Sequence, residues 1–278
     1  MCCARTTAAE KDESVRTGFI PAALVGIGLA LAGCSGFSAD FADSILPLSA
    51  PKFADNDPVD AFEGGGPHGY AVHGIDVSKY QGAIDWQKTK RADIAFAFIK
   101  ATEGGDRVDE RFREYWRQSK RAGIRRGAYH FFYFCRPAIE QARWFIRHVP
   151  RETGALAPVL DMEWNHKSPS CKERPPARKV RAEMRVFLNT LERHYGVRPV
   201  IYTTPDFYRQ NIAGHFKGET FWLRTVAAHP RITYPGRKWT FWQYTGTGVV
   251  PGISGNADIN VFSGGRADWQ KWLEENSI

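Results

Sequence analysis

Asp161 and Glu163 stand two positions apart at the end of the apolar run in APVLDMEWNH, residues 157–166. If Pro158, Val159 and Leu160 form the body of a buried strand, residues i and i+2 point to the same side of it, about 6–7 Å apart at Cα. Carboxylates sharing one cavity repel, so at least one keeps its proton to higher pH than a free acid, as a general acid near neutrality requires. Asp76 in HGIDVSKYQG and Asp258 in ADIN close two further apolar runs. Gathered like charges are hard to explain as structure and mark a functional site. Paired carboxylates are the usual equipment for cleaving glycosidic bonds. Taken alone, Asp161 and Glu163 also fit a strand-end salt bridge to one of the many arginines.

Acids meet in this way only if the strands carrying them end together. From residue 71 short apolar runs alternate with amphipathic stretches: AVHGIDVS, AFAFIKATEG, GAYHFFYF, LAPVLDMEW, RPVIYTT, TFWLRTVA, WTFWQYT and ADINVF. The spacing of Val180, Met184, Phe187, Leu188, Leu191 and Tyr195 predicts a helix over 176–195, and Phe112, Trp116, Ser119 and Ala122 repeat the period. Five strand–helix alternations followed by three strand-like runs predict an α/β fold, an irregular TIM-like (β/α)5(β)3 barrel of eight strands. Its chemistry belongs at the C-terminal strand ends, where the loops converge over the packed core.

The pieces GIDVSKYQGAIDW, FIKATEGG, AGIRRGAYHFF, QARWFI, PVLDMEW, IYTT, FWQYT and GISGNADINVF, in this order, resemble glycoside hydrolase family 25, the Chalaropsis-type lysozymes. The resemblance runs from about residue 72 to 275. It implies an N-acetylmuramidase that cuts the β-1,4 bond between N-acetylmuramic acid and N-acetylglucosamine in peptidoglycan strands. It also implies Glu163 as proton donor to the leaving oxygen and Asp161 as its partner at the 2-acetamido group or on the intermediate. Asp76 and Asp258 would complete the acidic floor, with retention and inversion both open. Tyr129, Tyr202 and Trp242 match positions near the substrate cleft. Glu103, after the second strand, either contacts substrate or braces the neighbouring loop.

Other chemistries find no support. His130 lacks a serine or cysteine in a nucleophile turn and is expected to be a buried, hydrogen-bonded histidine. The cysteines and histidines lack zinc spacing, and no phosphate loop or dinucleotide fingerprint occurs, so neither metal nor cofactor is expected. A DxxDxDxE run of the chitinase type is also missing. No zinc, helix-turn-helix or RNA-recognition signature points to nucleic acid.

Ahead of the barrel, residues 19–32 form an uncharged apolar run of 14 residues, too short for a comfortable membrane span. It enters LAGC, which resembles the lipobox of bacterial lipoproteins, with Cys34 as the lipidated residue. Residues 1–33 are therefore expected to be a lipoprotein-type signal peptide, 34–70 a flexible acidic linker and 71–278 the catalytic barrel. Residues 71–278 hold 34 Lys and Arg against 21 Asp and Glu, a formal +13, which suits an anionic polymer. Cys135 and Cys171 remain as two thiols of an exported chain, and a disulfide between them would join adjacent loops over the barrel mouth. The expected protein is a monomeric, periplasmic, membrane-anchored wall hydrolase. A noncatalytic peptidoglycan-binding lipoprotein on the same barrel is the alternative, though a binder has no need of repelling acids.

Overall fold

The computed structural model describes residues 52–165 and 168–278. The expected signal segment, the lipid site Cys34 and the linker up to residue 51 lie outside the described residues. Among the described residues ten strands run in chain order: β1 Ala54–Asp55, β2 His73–Val77, β3 Ile94–Glu103, β4 Arg107–Val108, β5 Arg125–Phe131, β6 Val159–Met162, β7 Val200–Thr203, β8 Phe221–Arg224, β9 Phe241–Val249 and β10 Ala257–Phe262. Eight of them close a barrel in the order β2-β3-β5-β6-β7-β8-β9-β10, with β10 pairing back onto β2. Neighbours from β2 to β9 are parallel, whereas β10 runs antiparallel to both β9 and β2. Accessory β1 pairs with β9, and β4 folds back on β3.

Helices Trp86–Arg91, Phe112–Arg121, Ala138–His148 and Ala177–Tyr195 follow the first four barrel strands, β7 is followed by the contiguous helical turns Pro205–Phe207 and Tyr208–Ile212, and β8 by a short turn at Pro230–Thr233. This is the expected irregular (β/α) barrel. The apolar face read from the sequence between 176 and 195 is the buried face of its longest helix. That helix starts after Pro176, whose missing N–H costs nothing at a helix entry, and ends at Gly196, whose φ of 81° suits a residue without Cβ.

Strand alternation divides the core into two layers. Phe96, Phe98, Val159, Val200, Tyr202, Trp222, Phe241 and Phe262 form the cluster inside the barrel, and Ile75, Ile99, Leu160, Ile201, Leu223, Trp242 and Val261 form the cluster under the helices. Trp269 and Leu273 of the last helix, Arg266–Asn276, join the inner cluster and pack at its base. Two glycines make room for this filling: a Cβ on Gly74 would come within 2.4 Å of the Phe96 ring, and one on Gly127 within 2.9 Å of Phe98.

Residues 52–70 depart from the expected linker. Besides the β1 pairing, Phe53 packs edge-on against His73, Phe62 against Trp242, and Tyr70 OH bonds His229 Nε2 at 2.9 Å. These residues have no sustained period because, apart from β1 and a short turn at Pro67–Gly69, they follow the barrel surface. Their apolar contacts are entirely tertiary.

Candidate active site

The same alternation that places phenylalanines in the barrel interior places charge at its mouth. On β6, Val159 points inward, so Asp161 and Glu163 do too. On β2 and β3 the inward series reaches Asp76 and Lys100, and on β8 and β9 it reaches Arg224 and Gln243. Because β10 is antiparallel, Asp258 near its start lies at the same end, directly opposite Asp76 in the register. Asp76, Asp161, Glu163 and Asp258 thus line one cavity of about 520 Å³, with Tyr129, Tyr202, Trp222, Trp164 and Asn165 in its walls.

Asp76 is held by the barrel itself. Its Oδ2 accepts from Gln243 Nε2 at 2.8 Å and from Asn260 Nδ2 at 2.9 Å. Gln243 Oε1 in turn accepts from Tyr202 OH at 2.9 Å, and Asn260 Oδ1 from Trp222 Nε1 at 2.7 Å. Each buried amide in this chain is fixed on both sides, which sets its orientation. Asp161 differs, because its Oδ1 is buried with no hydrogen-bond partner among the described residues. Such an oxygen is costly to leave unmade and is satisfied when a donor enters the cavity.

All four carboxyls are pushed above the usual carboxylate range. Burial is the main cause for each; Asp258 adds to the push on Asp76, and Glu163 to that on Asp161. For Glu163 burial and the nearby Asp258 outweigh the Arg224 and Lys100 charges that pull the other way. Asp258 rises to about 6, again by burial, against the pull of Arg224. Burial also raises Tyr129 and Tyr202, so both remain neutral phenols.

The remaining expected residues separate. Tyr129 and Tyr202 line the cavity as read from the sequence. Trp242 does not: it is fully buried on the outer side of β9, edge-on to Phe62, with Nε1 donating to the Thr225 carbonyl at 2.7 Å. Its assignment to substrate is corrected, since one residue along a strand reverses the face and Gln243 is the member that reaches the cavity. Glu103 lies outside the cavity lining and braces a loop, paired with Lys100 at 2.6 Å and Arg107 at 3.4 Å and accepting from Tyr133 OH at 2.7 Å. His130 is buried between Thr102 Oγ1 at 2.7 Å and Gln141 Oε1 at 3.0 Å, and burial lowers it to about 4, as a structural histidine. Cys135 and Cys171 form the expected disulfide.

Sequence reasoning passed over Lys100, Arg224, Gln243, Trp222 and Asn165. A signal existed for the strand residues: each holds the inward parity of its strand, and Gln243 lies level with Arg224 at the end of β8. Only the register identifies that parity, and short apolar runs do not fix it.

A model of glycosyl hydrolases family 25 matches residues 75–253. The Escherichia coli O157:H7 protein "Uncharacterized protein YegX" is 38% identical over 222 residues, 78% of this chain and 79% of its own length. "Lysozyme M1" of Streptomyces globisporus is 36% identical over 70% of this chain and 69% of its own. Among solved structures, a family 25 glycosyl hydrolase from Bacillus anthracis superimposes with a TM-score of 0.67 at 35% identity, over 77% of this chain and 99% of that one. A bacterial lysozyme from Streptomyces coelicolor gives 0.63 at 34% identity, over 71% and 94%. The family match spans the strand ends that carry Asp76, Asp161 and Glu163, and the chain belongs to the glycosyl hydrolases of family 25.

Proposed function

We propose that the chain is a peptidoglycan hydrolase, an N-acetylmuramidase that cuts the β-1,4 bond between N-acetylmuramic acid and N-acetylglucosamine. The observation that carries this reading is the placement of Asp161 and Glu163, two residues apart at the tip of β6, in one cavity with Asp76 and Asp258. The names of relatives support it: besides Lysozyme M1, an "N,O-diacetylmuramidase" from Chalaropsis sp is 29% identical over 49% of this chain and 68% of its own. We assign Glu163 as the general acid. Burial and Asp258 hold its proton to higher pH than a free carboxyl, and the proton passes to the glycosidic oxygen as the C1–O bond breaks.

Asp161 supplies the free acceptor. Its unpaired Oδ1 suits the N–H of a 2-acetamido group, and a carboxylate there steadies positive charge as it develops at C1. Asp76, locked by Gln243 and Asn260, and Asp258 across from it form the floor that raises the other two. Tyr129, Tyr202 and Trp222 offer aromatic edges to the sugar rings.

Export fits the apolar segment and LAGC ahead of the barrel, and we place the mature protein on a membrane through lipidated Cys34, remodelling the wall nearby. The decisive experiment digests purified peptidoglycan with wild type and Glu163→Gln and identifies the products by mass. Wild type should release muropeptides with new N-acetylmuramic acid reducing ends. The variant should fold normally and release almost none; clearance at the wild-type rate would remove Glu163 from its role.

A further inference from the structure

Among the described residues two cations line the acidic cavity, Lys100 and Arg224. Lys100 is committed: its Nζ pairs with Glu103 at 2.6 Å and lies 5.0 Å from the centre of the Phe131 ring. Arg224 is not. It is the last residue of β8, placed opposite Gln243 of β9, and its backbone carbonyl accepts from Tyr234 OH at 2.6 Å. Its guanidinium makes no ion pair or hydrogen bond among the described residues. It is near enough to the acids for its charge to be felt at Glu163 and Asp258. A half-buried guanidinium with an open fork of donors, set over four acids, is an anchor for an incoming planar anion.

We infer that Arg224 selects a substrate carboxylate carried directly on the sugar, the free lactyl acid of N-acetylmuramic acid. The inference rests on the muramidase reading above. Arg224 stands beside the acids that meet the scissile bond, so it reaches groups on the flanking rings and not the distant end of a stem peptide. In peptide-bearing strands the lactyl carboxyl is tied up as a neutral amide. Hydrolysis of that amide, with water adding across the C–N bond, frees the stem peptide's amine and leaves the carboxylate. Ionised, this group would enter a cavity lined by acids and would be repelled by those of Asp76, Asp161 and Asp258 that carry charge unless a cation met it. Arg224 supplies that cation, so the preferred substrate is a glycan strand stripped of its peptides, and the reaction that precedes this one is an amide hydrolysis.

The test compares kcat/KM on strands with stem peptides and on strands stripped by an amidase, for wild type, Arg224→Gln and Arg224→Lys. A charge-assisted hydrogen bond in a partly dry site predicts about a tenfold preference of wild type for stripped strands. Arg224→Gln should bring the ratio near one, chiefly through KM on stripped strands, and Arg224→Lys should recover part of it. If Arg224 only tunes the acids, Arg224→Gln will shift the pH profile equally on both substrates and leave their ratio intact; that result overturns the inference, as does wild-type preference for peptide-bearing strands. Wild type that cuts neither substrate would instead defeat the muramidase reading itself, and the inference with it.

Discussion

Asp258 stands directly opposite Asp76 across the antiparallel pair of β10 and β2. Asp76 has Gln243 and Asn260 as donors, so of the facing acids it is the better solvated by protein. Both are nonetheless raised, Asp76 well above the usual carboxylate range, and burial lifts Asp258 to about 6 from 3.8. A carboxyl raised in the folded state contributes stability that is fully present below its unfolded value and is lost as pH rises through the folded one. Asp258→Asn removes the ionisation, so its gain over wild type should grow between pH 4 and 7. At pH 8 the variant should be about 1–3 kcal/mol more stable, and near pH 3.5 the two should coincide. Thermal melts across this range check the prediction, and parallel curves would contradict it.

The same substitution should move catalysis. Glu163 must be protonated to act, so activity falls as pH rises through its raised value. Asp258 helps to hold that value up and Arg224 pulls it down. Asp258→Asn should therefore shift the alkaline limb of kcat/KM to lower pH and Arg224→Gln should shift it higher, each by up to about one pH unit. Shifts in the same direction would show that these charges do not set the Glu163 proton.

The extent to which this was legible in the sequence follows strand geometry. Asp161 and Glu163 could be placed on one face because both lie in one short segment, where the period-two rule needs no partner. The helix at 177–195 was legible for a similar reason, its apolar face being periodic within itself. The reversed direction of β10 was not, since direction comes from pairing with β9 and β2. Trp242 and Gln243 show the limit well: the reading chose the aromatic, and the barrel turned it outward against Phe62. That Phe62 belongs to a segment read as linker shows the same limit, because both sides of the contact are tertiary.

Tyr202 should act through Gln243. Its hydroxyl is the donor that fixes the Gln243 amide, whose Nε2 then points at Asp76. Tyr202→Phe leaves the buried Gln243 Oε1 unpaired, a loss of about 1–2 kcal/mol of stability. It should also lower kcat several-fold as the amide loosens from Asp76. Unchanged kcat and unchanged melting would show that the amide is held without the phenol.

Removing the disulfide should separate stability from catalysis. Cys135 and Cys171 close a loop with a sequence separation of 36 that contains β6 and its acids. Cross-linking a loop of this size contributes about 2–4 kcal/mol, so the double variant Cys135→Ser, Cys171→Ser should melt roughly 5–15 °C lower. The cavity wall has its own anchors, however. Trp164 packs on Phe134 at 5.0 Å and Phe207 at 4.8 Å between ring centroids, and its Nε1 donates to Gln210 at 2.6 Å. None of these contacts passes through the disulfide, and Asp161 and Glu163 are fixed by β6, which pairs with β5 and β7 on either side. Well below the lowered melting point, kcat should therefore stay within about twofold of wild type, since the groups that act in the transition state keep their places. KM should rise modestly as Asn165 and the segment beyond it gain freedom. A collapse of kcat at a temperature where the variant is folded would mean that the disulfide positions the acids and not only the loop around them.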